Sequence, residues 1–312
     1  MFLVAGEALY DVFPGAPLRR GAIDMRAVVG GSPFNVAIGL ARQGEEVALL
    51  AGVSTDPLGE GLAAHLIAEG VRADYLCRKP NPTTLALVAL DAQGLPRYAF
   101  YGHEGADVAL TAQDLPAPGA ALSGVHVGSY ALVRAPAADT LAQLVAGAAG
   151  GLVTLDPNVR PTVEPDMGVW RRRIAALIPH AAVVKASDED LARLAPGEPI
   201  DSVARGWLAA GPALVVVTRG AEGVAAFTRA HALRLPAAPV AVVDTVGAGD
   251  TFQATLIAGL LRAGARRRDD VAALAPAEIE RILVRAGRAA AITCGRRGAD
   301  LPTAAEIDAV AG

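Results

Sequence analysis

Short apolar runs rich in β-branched residues recur at positions 47–53, 125–129, 152–156, 183–186 and 214–218, each with the length and composition of a buried strand. Longer stretches between them carry a helical period. Leu141, Leu144, Val145 and Ala148 are spaced i, i+3, i+4, i+7 and give the segment 137–149 one apolar face; Ile279, Ile282, Leu283 and Ala286 repeat the pattern. Strand and helix in alternation predict a mostly parallel central sheet flanked by helices, an α/β fold. The rhythm breaks near the N-terminus. Segments 22–29 and 83–101 read as strands and turns with no helix between them, and Asp91-Ala92-Gln93-Gly94 marks a hairpin. A small β-sheet appendage is therefore expected from segments 10–30 and 83–103. With no internal repeat and no long Ser/Gly linker, residues 1–312 read as a single α/β domain.

Two glycine-rich turns interrupt this pattern. In the first, Val242-Val243-Asp244-Thr245-Val246-Gly247-Ala248-Gly249-Asp250-Thr251-Phe252 leads into the apolar helical run 253–261. The reading is a strand at Val242-Val243, a reversal at Gly-Ala-Gly, and a departing helix. Small residues there let the amides of Gly247, Ala248, Gly249 and Asp250 converge at a helix N-terminus, where free donors and the helix dipole favour an anion. The absence of a Gly-Lys-Ser/Thr ending excludes a Walker A loop, and the turn does not continue into a dinucleotide fingerprint. Asp250 has two explanations at this point: a residue of the reacting site, or an acid stabilising the helix start. The second turn, Gly30-Gly31-Ser32-Pro33-Phe34-Asn35-Val36-Ala37, also opens a helix after a strand. Taken alone it reads as a Ser cap with Pro at the first helical position.

Composition removes several classes of function. A net charge of −4 with 19% charged residues offers no broad basic surface for nucleic acid. The clusters Arg171-Arg172-Arg173 and Arg266-Arg267-Arg268 are read as solvated helix ends, the second followed at once by Asp269-Asp270. Cys77 and Cys294 lie far apart, and the five histidines lack metal-ligand spacing, so neither a disulfide framework nor a zinc site is expected. No run approaches the roughly 18 apolar residues of a membrane span, and the chain starts without a basic leader. A soluble, cytoplasmic protein without membrane or nucleic-acid partners is the expectation.

With these two turns the chain resembles the ribokinase-like sugar kinases, the pfkB carbohydrate kinases. Gly30-Gly31 with Asn35 and Ala37 is similar to the family's N-terminal motif, and Asp244 to Phe252 to its more specific C-terminal one. Asp156-Pro157-Asn158-Val159-Arg160, Lys185-Ala186-Ser187-Asp188-Glu189-Asp190 and Val217-Thr218-Arg219-Gly220-Ala221-Glu222-Gly223 fall between them in the family's order, so the likeness spans nearly the whole chain. It implies the ribokinase-like three-layer fold with a small β lid. It implies Asp250 as the base that takes a sugar proton and Gly247, Ala248, Gly249 and Asp250 as an anion hole for the transferring phosphoryl group. Asp11, Gly30, Gly31, Asn35 and Phe100 would meet the sugar, and Arg160 the sugar or the phosphates. By itself, Asp11 also reads as a turn residue after the first strand. Ser187, Thr218, Gly220 and Gly223 would sit beside ATP, with Gly247 and Gly249 at its phosphates. Magnesium is implied with the nucleotide. Where relatives carry Asn-x-x-Glu this chain has Ser187-Asp188-Glu189-Asp190, leaving Asp190 to reach magnesium through water. A potassium ion is implied near Asp244, Val246, Thr293 and Gly298, although Asp244 also reads as a simple cap of its turn. A homodimer through the lid is the family's habit.

Within the family, Gly6-Glu7-Ala8-Leu9-Tyr10-Asp11, the stretch from Phe100 to Asp107, and Lys185-Ala186-Ser187-Asp188 resemble bacterial fructokinases, implying fructose 6-phosphate as product. Keto-deoxygluconate kinases share several of these features and are the second reading. Gly102-His103 departs from relatives that carry an Arg there. A reading of another class is a sugar- or nucleotide-binding regulator without catalysis; an intact Gly-Ala-Gly-Asp turn argues against it.

Overall fold

Strand β1 (Phe2–Ala5) opens the chain in a computed structural model that describes residues 1–17, 21–90, 96–117 and 119–310. It is followed by β2 (Leu9–Pro17), β3 (Ile23–Gly30), α1 (Ser32–Arg42), β4 (Val47–Ser54), α2 (Pro57–Ala68), β5 (Leu76–Lys79), β6 (Leu85–Leu90), β7 (Pro96–Tyr101), β8 (Gly124–Gly128), α3 (Ala137–Gly147) and β9 (Val153–Asp156). The second half runs α4 (Met167–Leu177), β10 (Val183–Ser187), α5 (Asp188–Leu194), α6 (Ile200–Ala210), β11 (Leu214–Thr218), β12 (Val224–Phe227), β13 (Ala232–Leu235), α7 (Ala248–Arg262), α8 (Arg268–Ala272), α9 (Pro276–Cys294) and α10 (Ala304–Ala309). The turn expected at Asp91-Ala92-Gln93-Gly94 lies outside the described residues.

Nine strands form one sheet in the order β13-β12-β11-β10-β9-β8-β1-β4-β5, with every pairing parallel except the two that β12 makes, with β11 and β13. Alternate side chains along each strand explain the three layers. Phe2, Val4, Val47, Leu49, Leu214 and Val216 point to one face and share a core with α1, α2, α7 and α9. Leu3, Ala5, Ala48, Leu50, Val215 and Val217 point to the other, towards α3, α4 and α6. None of the described helices is long and apolar enough to cross a membrane.

From β1 the chain winds outward through β4 and β5, then returns to β8 on the other side of β1 and winds the opposite way through β9, β10 and β11. In open α/β sheets such a reversal leaves a crevice beyond the carboxyl ends of the strands, where ligands bind. A second, four-stranded sheet, β3-β2-β6-β7, leaves the body between β1 and α1 and again between β5 and β8.

Two expectations fail. Val242 and Val243 form no strand; they lie 63% and 57% exposed in the segment joining β13 to α7. Their apolar character favours a strand only where a sheet edge is free to pair, and here the backbone pairs with a helix end instead: the amides of Val243 and Asp244 donate to the Cys294 carbonyl at 2.8 and 3.2 Å. Arg171 and Arg173 sit mid-helix in α4, not at a solvated end. Arg171 donates to the Leu194 carbonyl at 2.8 Å, and Arg173 to Asp139 at 2.6 Å.

Candidate active site

Helix α7 starts at Ala248, with Gly247 as its N-cap at φ 78°. That left-handed conformation disfavours any β carbon, and one placed there would lie 2.6 Å from Ala299 Cβ, so glycine is required twice over. The first four amides of a helix lack intrahelical acceptors. Ala248 spends its own on the Thr245 carbonyl at 3.3 Å, which leaves Gly247, Gly249 and Asp250 as the amides of the opening turn.

The Asp250 side chain does not cap its own helix. Ser32 Oγ donates to Oδ1 at 2.7 Å and Asn35 Nδ2 to Oδ2 at 2.8 Å, both from the first turn of α1. Helix α1 enters through Gly31, at φ 106°, where a β carbon would stand 2.8 Å from the Glu7 carbonyl. The Ser cap read from the sequence is therefore corrected: α1 has no side-chain cap, because the Ser32 hydroxyl is drawn across to a carboxylate, a stronger acceptor.

Asp11, on β2, faces the same space. Gly30 lies beside it, a β carbon there falling 2.5 Å from Asp11 Oδ2. Burial and the negative charge of Asp250 push the Asp11 carboxyl up to about 6, with Arg160 opposing. Phe100, on β7, packs edge-on against Tyr130 at 5.8 Å between ring centroids. The Tyr130 hydroxyl donates to Asp107 at 2.5 Å, and Thr84 also donates to Asp107. Glu7, just past β1, is buried, its carboxyl pushed up to about 8 by burial, with Oε2 lacking a partner among the described residues.

The remaining predicted residues follow the carboxyl ends of neighbouring strands. Ser187 and Thr218 stand opposite each other at the ends of β10 and β11, and Gly220 and Gly223 form the next turn. Arg160 follows β9. The structure thus brings Ser32, Asn35 and Asp250 together and sets Gly30 against Asp11, while Arg160, Ser187 and Thr218 lie at the carboxyl ends of β9, β10 and β11.

Residues 5–306 match the model of the pfkB family carbohydrate kinases. This chain belongs to that family. It is 38% identical over 261 residues to a fructokinase of Rhizobium leguminosarum bv. trifolii, covering 83% of this chain and 79% of that one. Among solved structures it is similar to a fructokinase of Xylella fastidiosa with bound ATP, at TM-score 0.91 and 27% identity, covering 99% and 97% of the two chains. It is also similar to a double-mutant fructokinase of Vibrio cholerae O395 in its fructose, ADP and potassium ion form, at TM-score 0.84 and 27% identity over 99% and 98%.

Three features of this pfkB kinase were not legible or were misread. Asp190, expected to reach a metal, is buried and occupied: Oδ1 accepts from the Val159 amide at 2.8 Å, and Oδ2 from the Ser187 amide and hydroxyl at 3.0 and 2.7 Å. It braces the loop after β9 against the start of α5. Asp244 is a latch, accepting from the amides of Val246 at 3.1 Å and Gly298 at 2.8 Å; it joins the turn before α7 to the loop after α9, while Thr293 is tied to Thr251 at 2.8 Å between hydroxyls. Lys185 and Asp156 form a buried ion pair at 2.7 Å that the motif reading left without a role. A lysine inside an otherwise apolar strand run is the sequence signal that could have found it. Among the described residues no group of three or more His, Cys, Asp or Glu is arranged to hold a metal. Asp250 and Asp11 are half-buried.

Proposed function

We propose that this kinase transfers the terminal phosphoryl group of ATP to fructose, forming fructose 6-phosphate. The observation that carries the reading is Asp250, set in the first turn of α7 and held on both oxygens by Ser32 and Asn35. A carboxylate offers about four lone-pair sites, so these two bonds orient it and leave others for a sugar hydroxyl. Asp250 accepts the hydroxyl proton as the bond to phosphorus forms. The amides of Gly247, Ala248, Gly249 and Asp250 face the transferring group, with Ala248 contributing least because of its bond to Thr245. Orientation of the two bound reactants can supply on the order of 7 to 11 kcal/mol, and a general base roughly 3 to 5 kcal/mol, so positioning dominates.

Asp11, Asn35 and the glycines Gly30 and Gly31 line the sugar side, with Phe100 on the small sheet above and Arg160 opposite. Ser187, Thr218, Gly220 and Gly223 border the nucleotide side. Magnesium bound with ATP would neutralise its phosphates and be held mainly by them and by water, since Asp190 is taken by the Val159 and Ser187 amides. A potassium ion would be held at the loops that Asp244 latches, by backbone groups around Val246, Thr293 and Gly298. The small sheet serves as the lid that excludes water from the acceptor. Phe13, Ile23, Met25 and Tyr101 are exposed on that sheet, which supports a lid-to-lid homodimer.

The test is ADP release from Mg-ATP with fructose, ribose, keto-deoxygluconate, glucose, adenosine and fructose 6-phosphate as acceptors. Turnover concentrated on fructose is expected. Turnover on another acceptor overturns the substrate, and sugar binding without any turnover overturns the catalytic reading in favour of a regulator.

A further inference from the structure

Lys185 lies in the middle of the central sheet, on β10, and is 4% exposed. Its ammonium donates to Asp156 Oδ2 at 2.7 Å, the one hydrogen bond it makes among the described residues, although a lysine carries three donors. Asp156 Oδ1 is buried with no partner there at all. Such a half-satisfied buried pair is poor structural material. Desolvation of two charges can exceed their attraction, and well-packed apolar residues of similar volume often replace them at no cost. The pair therefore calls for a reason other than stability.

Its position supplies one. A β carbon built on Gly249 would lie 3.4 Å from Lys185 Nζ, so the ammonium sits directly beneath the second residue of α7, whose amides form the anion hole. Burial opposes the charge, but Asp156 foremost, with Asp190 and Asp250, favours it, and the group is held in the charged form. The field of a buried cation is screened far less than that of a surface one.

We propose that Lys185 is a positioning residue of the phosphoryl-transfer site: a buried cation, oriented by Asp156, that reinforces the amides of the Gly247–Asp250 turn in stabilising the negative charge of the transferring group. This deepens the functional reading of the same site and rests on it. The charge is fixed before the reaction begins, so no reorganisation is needed when the phosphoryl group moves.

The test removes both charges together. Lys185→Met with Asp156→Leu, and separately Lys185→Gln with Asp156→Asn, leave no orphaned ion, and either folded pair decides. The expected result is a thermal midpoint near that of the wild type, KM for ATP and sugar within about threefold, and kcat lower by at least about tenfold. A kcat loss smaller than tenfold in either folded pair overturns the proposal, since Lys185 would then serve only to neutralise Asp156. If Lys185→Met alone is slow and its activity returns with Asp156→Leu, the proposal is equally overturned. Turnover is read on whichever sugar the wild type phosphorylates fastest. A wild type that phosphorylates none overturns the functional reading itself, which keeps the two failures distinct.

Discussion

Ser32 Oγ donates to Asp250 Oδ1 at 2.7 Å across 218 positions of sequence, joining the first turns of two helices that each begin at a glycine. With Asn35 on the other oxygen, the carboxylate is fixed in rotation while the residue stays only half-buried. Removing the acid should therefore act on the chemical step. Asp250→Ala is expected to fold and to bind ATP while losing at least about a hundredfold in kcat. Asn35→Ala and Ser32→Ala, which free the carboxylate to rotate, should each lower kcat by about tenfold. Steady-state kinetics with calorimetric ATP binding checks all three; near-normal turnover by Asp250→Ala removes its assignment as base.

Asp11 titrates near the working range. Its carboxyl is raised to about 6 by burial and by Asp250, so in its proposed role at the sugar it should accept hydroxyls above that pH and lose the ability below it. KM for the sugar should climb by up to about tenfold per pH unit as pH falls below 6. In Asp11→Asn, KM should be high throughout and lack this rise. A wild-type KM flat from pH 7 to pH 5 would show that Asp11 does not meet the sugar.

Glu7 gives a stability prediction of definite sign. Burial raises its carboxyl to about 8 from an ordinary 4.5, so the folded chain holds a proton that the unfolded chain releases. Its contribution is greatest below pH 4.5, declines as pH rises towards 8, and is flat beyond. Every tenfold difference in proton affinity between the folded and unfolded chains is worth about 1.4 kcal/mol, enough to move a melting curve visibly. Glu7→Gln, neutral at every pH, should melt at a higher temperature than the wild type at pH 9, the gap narrowing as pH falls. Parallel melting curves from pH 5 to 9 would contradict this.

Gly247 is held at φ 78° against Ala299. Gly247→Val combines an unfavourable backbone conformation with a clash, each costing on the order of 1 to 3 kcal/mol. The measurable outcome is a lowered melting temperature together with a loss in kcat that exceeds any loss in ATP affinity, as the proposed place of the turn at the transferring group requires. An unchanged melting temperature would mean that the turn adapts.

The layers of the fold were legible in the chain alone. Strand and helix periods are set by which residues must be buried, and the run 214–218 coincides with β11 because its side chains face helices on both sides. The glycine turns were legible for a similar reason: a positive φ and a close approach each leave glycine as the residue that fits, as at Gly31 and Gly247. Which polar groups pair with which emerged only on folding. Val242 and Val243 carry a strand's composition, but the Val243 amide pairs with the end of α9 instead. Asp190, with the chemistry of a metal ligand, is taken by the Val159 amide of a distant loop, and Asp244 reaches the Gly298 amide after α9. Ser32, read locally as a helix cap, turns to Asp250, and Lys185 meets Asp156 beneath Gly249. A polar side chain can satisfy its hydrogen bonds with any donor or acceptor the fold brings near; apolar periodicity specifies a face, while a polar residue's partner is fixed only when distant segments meet.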